Sequence, residues 1–271
     1  MRLERTVVRL AAVAFVLSML LFSSPVFAAQ PGTSGSPMIR TVSGAVSSSN
    51  WSGYAVNGTA GSVTLVQGSW TVPSVTCPSS GNTYAAVWVG IDGFQSSTVE
   101  QTGTASDCVN GVASYSAWYE FYPSPSVKIG ISVSPGDVVG ARVWYASGTF
   151  KALIVDFTTH KSFTASKVVS SAARSSAEYI VEAPEVCLLF RCELSKLSNF
   201  GTVGFGSDYT GVSMTCALVM NGVPGSIGSF GSSVQKITMV SASNPAQVKA
   251  QPSALTPDGL AFTVQWVSAG P

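Results

Sequence analysis

The chain has 271 residues, and its 14 Lys and Arg stand against 13 Asp and Glu, so only 10% of the chain is charged. This balance argues against nucleic acid as a partner, because nucleic-acid binding needs a strongly basic face. Once an N-terminal targeting segment and the polar leader after it are set aside, about 220 residues remain, which is enough for one large β domain with a substantial core.

The N-terminus carries the three parts of a secretory signal peptide. Three arginines within the first nine residues precede an apolar run over residues 10–22, and small residues follow up to Ala28. The run is shorter than the ~20 apolar residues that a membrane-spanning helix needs. Residues 1–28 therefore predict a signal peptide that is cleaved off, which would leave a secreted chain without a membrane anchor.

The next segment, residues 29–46, is polar and rich in Gly, Pro and Ser. Such a composition is typical of chains that bury too little apolar surface to fold. We expect a flexible leader or a short propeptide here, followed by one folded domain over residues 47–271. Nothing in the sequence demands a partner chain, so we expect the domain to act as a monomer.

From residue 51 onwards, short alternating apolar segments are separated by Gly, Pro, Ser and Asn. Many short strands without long helical stripes between them predict an all-β fold, as an antiparallel sandwich or barrel. A single weak helix is expected around residues 168–176. The segments that predict strands are 62–72, 85–93, 98–103, 115–122, 127–133, 138–145, 153–158, 177–182, 234–240 and 260–267.

One face of several strands carries aromatic and acidic side chains where the other face is apolar. In the strand over residues 85–93, Val87, Val89 and Ile91 share a core face, and Trp88 and Asp92 lie opposite. Ligand sites combine aromatic rings with a few polar groups, so we expect a concave binding face. Its candidate members are Trp88, Asp92, Gln101, Trp118, Glu120, Tyr122, Glu178 and Glu182.

The five cysteines of an exported chain predict disulfides with one thiol left over. Cys187 and Cys192 are close enough in sequence to close a loop. Cys77 and Cys108 form a plausible second pair, although the sequence leaves the connectivity open.

The only histidine, His160, lies in a predicted exposed turn over residues 157–161. A Ser-His or Cys-His mechanism therefore has no recognisable base, and HExxH metal hydrolysis is excluded. Neither GxSxG nor a phosphate-binding glycine loop occurs. If the chain is an enzyme, carboxylates or amides do the chemistry, and we expect neither a metal nor an organic cofactor.

Five motifs resemble those of the glutamic peptidases, the eqolisins, in their order and spacing. The resemblance extends from about residue 49 to the C-terminus. It implies a sandwich of two large, bent antiparallel sheets with a lectin-like outline and an active site on the concave face. The motifs are NWSG at 50–53, WVGIDG at 88–93, QTG at 101–103, AWYEFYP at 117–123 and AEYIVE at 177–182.

Carried over by motif, the resemblance implies that Gln101 and Glu182 are the catalytic pair of an acid endopeptidase acting on polypeptides. Ionised Glu182 would deprotonate a water as it attacks the scissile carbonyl. The amide of Gln101 would hold that water and donate a hydrogen bond to the oxyanion. The residues implied to line the substrate cleft are Trp51, Trp88, Asp92, Trp118 and Glu120.

Two alternatives stay open. A glycoside hydrolase would use Glu120 and Glu182 as its two carboxylates, and a lectin-like module would bind sugar without catalysis. Neither alternative needs the amide of Gln101. The chain departs from fungal family members after Glu182, and we expect the loop between Cys187 and Cys192 to shape a subsite or act as a lid.

Overall fold

The computed structural model describes residues 39–42, 45–188 and 191–270. The predicted signal peptide, residues 1–28, lies outside the described residues, as does most of the predicted leader. No helix within the described part of the chain is long and apolar enough to cross a membrane.

Nearly all regular structure is β. The described residues include two short helical segments, α1 (Ser207–Thr210) and a 3-10 helix (Ile227–Ser233). The strands, in chain order, are β1 (Ile39–Val42), β2 (Ala45–Ser48), β3 (Trp51–Asn57), β4 (Val63–Thr71), β5 (Ala86–Ile91), β6 (Val99–Val109), β7 (Val112–Tyr122), β8 (Val127–Lys128), β9 (Val138–Ala146), β10 (Thr149–Asp156), β11 (Lys161–Lys167), β12 (Ser176–Glu182), β13 (Glu185–Leu188), β14 (Arg191–Leu194), β15 (Thr202–Phe205), β16 (Ala217–Met220), β17 (Val223–Ser226), β18 (Val234–Val240), β19 (Val248–Pro252) and β20 (Phe262–Trp266).

The strands form two layers of an antiparallel sandwich, as predicted. The first layer runs in the order β7, β6, β5, β12, β3, β18. The second runs β11, β10, β9, β4 and continues into β16 and β15. Strands β19 and β20 link β18 of the first layer to β15 of the second, so the hydrogen-bond network is continuous through both layers.

The main core lies between the two layers, where β5 packs on β4 and β9. Successive side chains of a strand point to opposite faces. Val87, Val89 and Ile91 of β5 accordingly enter the main core, and Trp88 packs on the opposite face in a second apolar cluster. We call this second face of the first layer the site face.

Two predicted elements are wrong. Residues 127–133 form only the two-residue strand β8, yet Ile129, Ile131 and Val133 are buried. The alternation of these residues correctly indicates that one side of the segment is buried. The pattern cannot show whether a neighbouring strand pairs with the segment along its whole length. The helix expected over residues 168–176 is absent, because Ser176 already begins β12 and the preceding residues adopt turns and irregular structure.

The ordered fold begins before residue 47. Strand β1 pairs with β2, and β2 pairs in parallel with β18 through Val46 and Ile237. These strands fall partly within the range 29–46 assigned to a flexible leader or short propeptide. Where the mature chain begins stays a prediction.

The cysteine pairs and the histidine lie as expected. Disulfides join Cys77 to Cys108 and Cys187 to Cys192, and Cys216 is a buried free thiol. His160 is exposed in a turn, with a φ of 58°.

Candidate active site

The pairing of β12, β5, β6 and β7 brings the predicted site residues onto one face. Residues directly opposite each other on antiparallel strands share a face. One row across the four strands consists of Glu178, Gly90, Gln101 and Glu120. Since Gly90 has no side chain, this row has a gap between Glu178 and Gln101.

The neighbouring row consists of Ile180, Trp88, Gly103 and Trp118. One row further along, Glu182 lies opposite Ala86 on one side and opposite Trp51 on the other. Trp88 is therefore a diagonal neighbour of both predicted catalytic residues, Glu182 and Gln101. Diagonal neighbours on a sheet face are within reach of aromatic side chains.

Trp88 uses this position to contact Glu182 directly. Its Nε1 donates a hydrogen bond to Oε2 of Glu182 over 2.8 Å, and both side chains are buried. Two glycines leave room for the indole. A Cβ on Gly103 would lie 2.6 Å from Cβ of Trp88, and a Cβ on Gly90 would lie 3.0 Å from Cζ3 of Trp88 and 3.1 Å from Cβ of Gln101.

A second donor reaches the other oxygen of Glu182. Nδ2 of Asn50 donates to Oε1 over 3.4 Å. Asn50 was not among the predicted site residues, although its place in the 50–53 motif beside Trp51 was a signal that could have found it. Glu182 thus lies between an indole N–H and an amide N–H.

Gln101 is oriented by Glu120 on the neighbouring strand. Nε2 of Gln101 donates to Oε2 of Glu120 over 2.7 Å, between two buried side chains. An amide nitrogen carries two hydrogens, and this bond uses one of them. The contact fixes the plane of the Gln101 amide on the site face.

Three tryptophans form the apolar part of the site face. The rings of Trp51 and Trp88 meet edge to face, with centroids 4.8 Å apart, and Trp118 belongs to the same buried cluster. Within the described part of the chain, the buried indole N–H groups of Trp51 and Trp118 have no hydrogen-bond partner. Two donors are therefore present for a ligand with carbonyl acceptors.

Asp92, which was predicted to line the cleft, is engaged elsewhere. A φ of 72° at this residue breaks the regular alternation of β5. Its Oδ2 accepts from the backbone N–H of Arg174 over 2.6 Å, and its Oδ1 accepts from the backbone N–H and Oγ of Ser175. Both oxygens hold the segment before β12, which supports a structural role, and the substrate contact of Asp92 stays a prediction.

Two further carboxyl groups near Asp92 are buried. Burial, with a smaller contribution from the charge of Asp92, raises the pKa of Glu100 to about 9. Burial also raises the pKa of Glu178 well above its ordinary value. Both groups are therefore neutral in acid. Glu100 was not predicted as a notable residue, because alternation places it on the core face, opposite Ile91 and Phe121.

No group of His, Cys, Asp and Glu side chains in the described ranges is arranged to hold a metal ion. A small hairpin, β13 and β14, follows Glu182 after two residues, and the disulfide Cys187–Cys192 joins directly opposite positions in it. Residues 189–190 at its tip lie outside the described residues, so the expected subsite or lid stays a prediction.

Comparison with known proteins identifies the relatives of this chain. A family model described as the Peptidase A4 family matches residues 49–251. Aspergillopepsin-2 from Aspergillus niger is 33% identical over 182 residues, and scytalidopepsin B from Scytalidium lignicola is 36% identical over 148 residues. These alignments cover 58% and 51% of this chain and 62% and 53% of the two relatives. The chain thus spans less than two thirds of each relative.

Solved structures share the fold. Scytalido-glutamic peptidase with a transition state analog inhibitor superposes with a TM-score of 0.66 at 27% identity, over 81% of this chain and 98% of that chain. Aspergilloglutamic peptidase from Aspergillus niger superposes with a TM-score of 0.53 at 26% identity, over 68% of this chain and 99% of that chain. The predicted resemblance to the glutamic peptidases is confirmed, and the chain belongs to the Peptidase A4 family.

Proposed function

We propose that this chain is a secreted acid endopeptidase in which Glu182 is the general base and Gln101 stabilises the oxyanion. The observation that carries the proposal is that both side chains lie on the site face with Trp88 between them. Each is held by a buried hydrogen bond, Glu182 by Trp88 and Gln101 by Glu120. Side chains that are fixed in this way suit catalysis because they need no reorganisation during the reaction.

The proposed reaction hydrolyses a peptide bond with one water. Ionised Glu182 takes a proton from the water while the water oxygen bonds to the scissile carbonyl carbon. The carbonyl electrons move onto the oxygen, and Gln101 donates an amide N–H to that oxyanion. Protonated Glu182 then gives its proton to the leaving amine, the C–N bond breaks, the carbonyl re-forms, and Glu182 is ionised again.

The two donors at Glu182 support activity in acid. Hydrogen bonds from Nε1 of Trp88 and Nδ2 of Asn50 favour the charged form of the carboxylate. Gln101 does not titrate, and the pair needs one ionised acid only.

The substrates are proposed to be extended polypeptides. Their carbonyl groups would accept from the indole N–H groups of Trp51 and Trp118, which have no partner among the described residues. Apolar substrate side chains would pack on the tryptophan cluster, and Glu120 follows Trp118 two residues later on β7. Secretion through the signal at residues 1–28 and action as a monomer belong to the same proposal.

Access to the site face needs a change in the chain. Gln101 and Glu182 are 0% and 1% exposed in the 271-residue chain. We propose that substrate enters only after part of the chain has moved or been removed. Peptidase activity that rises after incubation in acid would support this step, and full activity of the intact chain would contradict it.

A glycoside hydrolase is not favoured. It would use Glu120 as one of its two carboxylates, yet Glu120 accepts a hydrogen bond from Gln101, and the family to which the chain belongs is one of peptidases.

Digestion of a denatured protein at about pH 4, near the reference pKa of glutamate, tests the proposal with Gln101→Ala and Glu182→Ala. Both variants should lose proteolysis while remaining folded, and pepstatin should not inhibit the wild-type chain. A folded variant of either kind with wild-type proteolysis would show the mechanism to be wrong, and cleavage of a polysaccharide would favour the alternative.

A further inference from the structure

A short corner at residues 49–50, between β2 and β3, touches Glu182 from the side opposite to Trp88. Ser48, the last residue of β2, precedes this corner, and its hydroxyl uses its full hydrogen-bonding capacity. It donates to Oδ1 of Asn50 over 2.9 Å and accepts from the backbone N–H groups of Asn50 and Trp51. Because Oδ1 is taken by this donor, Nδ2 is the end of the amide that faces Glu182.

The backbone of the same corner holds the chain next to Glu182. The carbonyl of Asn50 accepts from the N–H of Ala183 over 2.8 Å, and Trp51 pairs with Glu182 in the ladder between β3 and β12. Asn50 therefore holds both the side chain of Glu182 and the backbone immediately after it. A shift of the corner would move the carboxylate.

A buried lysine supports the corner from β19. Lys249 is 0% exposed, and its Nζ donates to the carbonyl of Ser49 over 3.3 Å. The C-terminal segment covers its stem, since a Cβ on Gly270 would lie 2.7 Å from Cδ of Lys249. Burial lowers the pKa of Lys249 to about 8, so the side chain is still an ammonium group in acid.

Burial of an ammonium group is costly unless hydrogen bonds compensate for the lost water. The carbonyl of Ser49 is thus a contact that Lys249 gives up only at a large cost, which makes it a firm anchor. The described contacts form a continuous path from Lys249 to Ser49, then to Asn50, and finally to Glu182.

We propose that Asn50 is a positioning residue for Glu182 and that Lys249, through Ser49, fixes the corner that keeps Asn50 in place. This inference rests on the proposed function, because it takes Glu182 as the general base. Asn50 stops rotation of the carboxylate and, as a neutral donor, favours its charged form. Loss of this donor makes Glu182 bind its proton more readily. On acidification, activity is therefore lost at a higher pH than in the wild type.

The test uses kcat/KM of the acid-activated full chain as a function of pH, with a fluorogenic peptide. Asn50→Asp keeps the shape of the side chain but replaces the donor with a carboxylate beside Glu182. A like charge at such a distance disfavours ionisation by about 1 pH unit or more. The acidic limb of the profile should therefore move up by about 1 unit, and kcat should fall about tenfold with KM nearly unchanged.

Ser48→Ala removes the group that orients the amide and should move the limb in the same direction by a smaller amount. Lys249→Met removes the anchor and should lower kcat at nearly unchanged KM. The matched control is Asn82→Asp, an exposed amide whose Oδ1 accepts from the N–H of Asn110. Since aspartate keeps that acceptor, this variant should retain the wild-type profile.

A wild-type profile for folded Asn50→Asp would overturn the role of Asn50. If that variant does not fold, a wild-type profile for Ser48→Ala overturns it instead. Wild-type kcat for Lys249→Met would overturn the role of the anchor. Glu182→Gln separates this inference from the proposed function. If Glu182→Gln stays active, the proposed function is wrong. If Glu182→Gln is inactive but Asn50→Asp, Ser48→Ala and Lys249→Met behave as the wild type, only the present inference is wrong.

Discussion

Nε1 of Trp88 donates a 2.8 Å hydrogen bond to Oε2 of Glu182, and both side chains are fully or almost fully buried. The same indole lies over Gly90, beside Gln101. Trp88 therefore contacts one proposed catalytic residue through its N–H and borders the other through its ring. Its position makes it a structural support for both proposed catalytic residues.

Trp88→Phe should lower kcat with little change in KM. Phenylalanine keeps an aromatic ring on the site face but lacks the N–H donor to Glu182. Hydrogen bonds to charged groups contribute about 1.5–3 kcal/mol, which corresponds to a loss of about 10- to 100-fold in kcat. Steady-state cleavage of a peptide measures it. An unchanged kcat in a folded variant would mean that the indole N–H does not support catalysis.

Gly90→Ala should also lower kcat, through crowding. The added Cβ would lie 3.0 Å from Cζ3 of Trp88, 3.1 Å from Cβ of Gln101 and 3.1 Å from the carbonyl of Glu100, so the side chains on both sides have to shift. Gly130→Ala is the matched control, because a Cβ at Gly130 meets open space. Equal activities of the two variants would show that the site tolerates a displaced indole.

Glu120→Ala should reduce kcat/KM about tenfold, since it removes the acceptor that orients the amide of Gln101. Glu120→Gln keeps an oxygen acceptor at the same place and should lose less. The ratio of the two kcat/KM values on one peptide measures this difference. Equal losses in folded Glu120→Ala and Glu120→Gln would show that an oxygen acceptor at position 120 does not support Gln101.

The stability of the folded chain should fall as the pH rises from acid to neutral. Glu100 has an ordinary pKa of 4.5 when unfolded and, mainly because of burial, a pKa of about 9 when folded. Between these values the folded state keeps a proton that the unfolded state has lost, so each increase in pH favours unfolding. The stabilisation is complete below pH 4.5 and is lost as the pH rises through about 9. Burial of Asp107, whose pKa is raised to about 7, acts in the same direction.

Thermal unfolding between about pH 5 and 8 measures this decline. For a domain of this size, each kcal/mol of unfolding free energy changes the Tm by about 2–4 °C. Glu100→Gln should reduce the decline without abolishing it, because the raised pKa values of Glu178 and Asp107 act in the same direction. Lys249 does not interfere with this measurement. Its pKa is about 8 in the folded chain and 10.5 when unfolded, so it changes the free energy of unfolding mainly above pH 8. A wild-type decline in Glu100→Gln would show that another group is responsible.

The sequence predicted the faces of the strands better than their neighbours. Alternation separated Val87, Val89 and Ile91 from Trp88 correctly, since one strand alone determines that pattern. It failed at Asp92, because a positive φ at the end of β5 turns that side chain towards residues 174 and 175. It also failed over residues 127–133, where side chains are buried without a paired strand.

The contacts between side chains within the site could not be predicted from the alternation of residues along single strands. Trp88 and Glu182 are separated by 94 residues and Asn50 and Glu182 by 132, and such pairs depend on the register of three strands. The family motifs indicated Gln101 and Glu182, but only the three-dimensional structure shows that Asn50 contacts Glu182 and that Lys249 contacts Ser49. Residues that act through others leave little local signal in a single sequence.

The most direct test of Glu182 as the general base is kcat/KM of Glu182→Gln for peptide cleavage at about pH 4, near the reference pKa of glutamate. Glutamine keeps the shape of the side chain and can still accept the hydrogen bond from Trp88, but it cannot take a proton from water. We expect kcat/KM to fall by about 10²- to 10⁴-fold with the Tm unchanged. A folded Glu182→Gln variant within about threefold of the wild-type value would contradict the assignment of Glu182 as the general base.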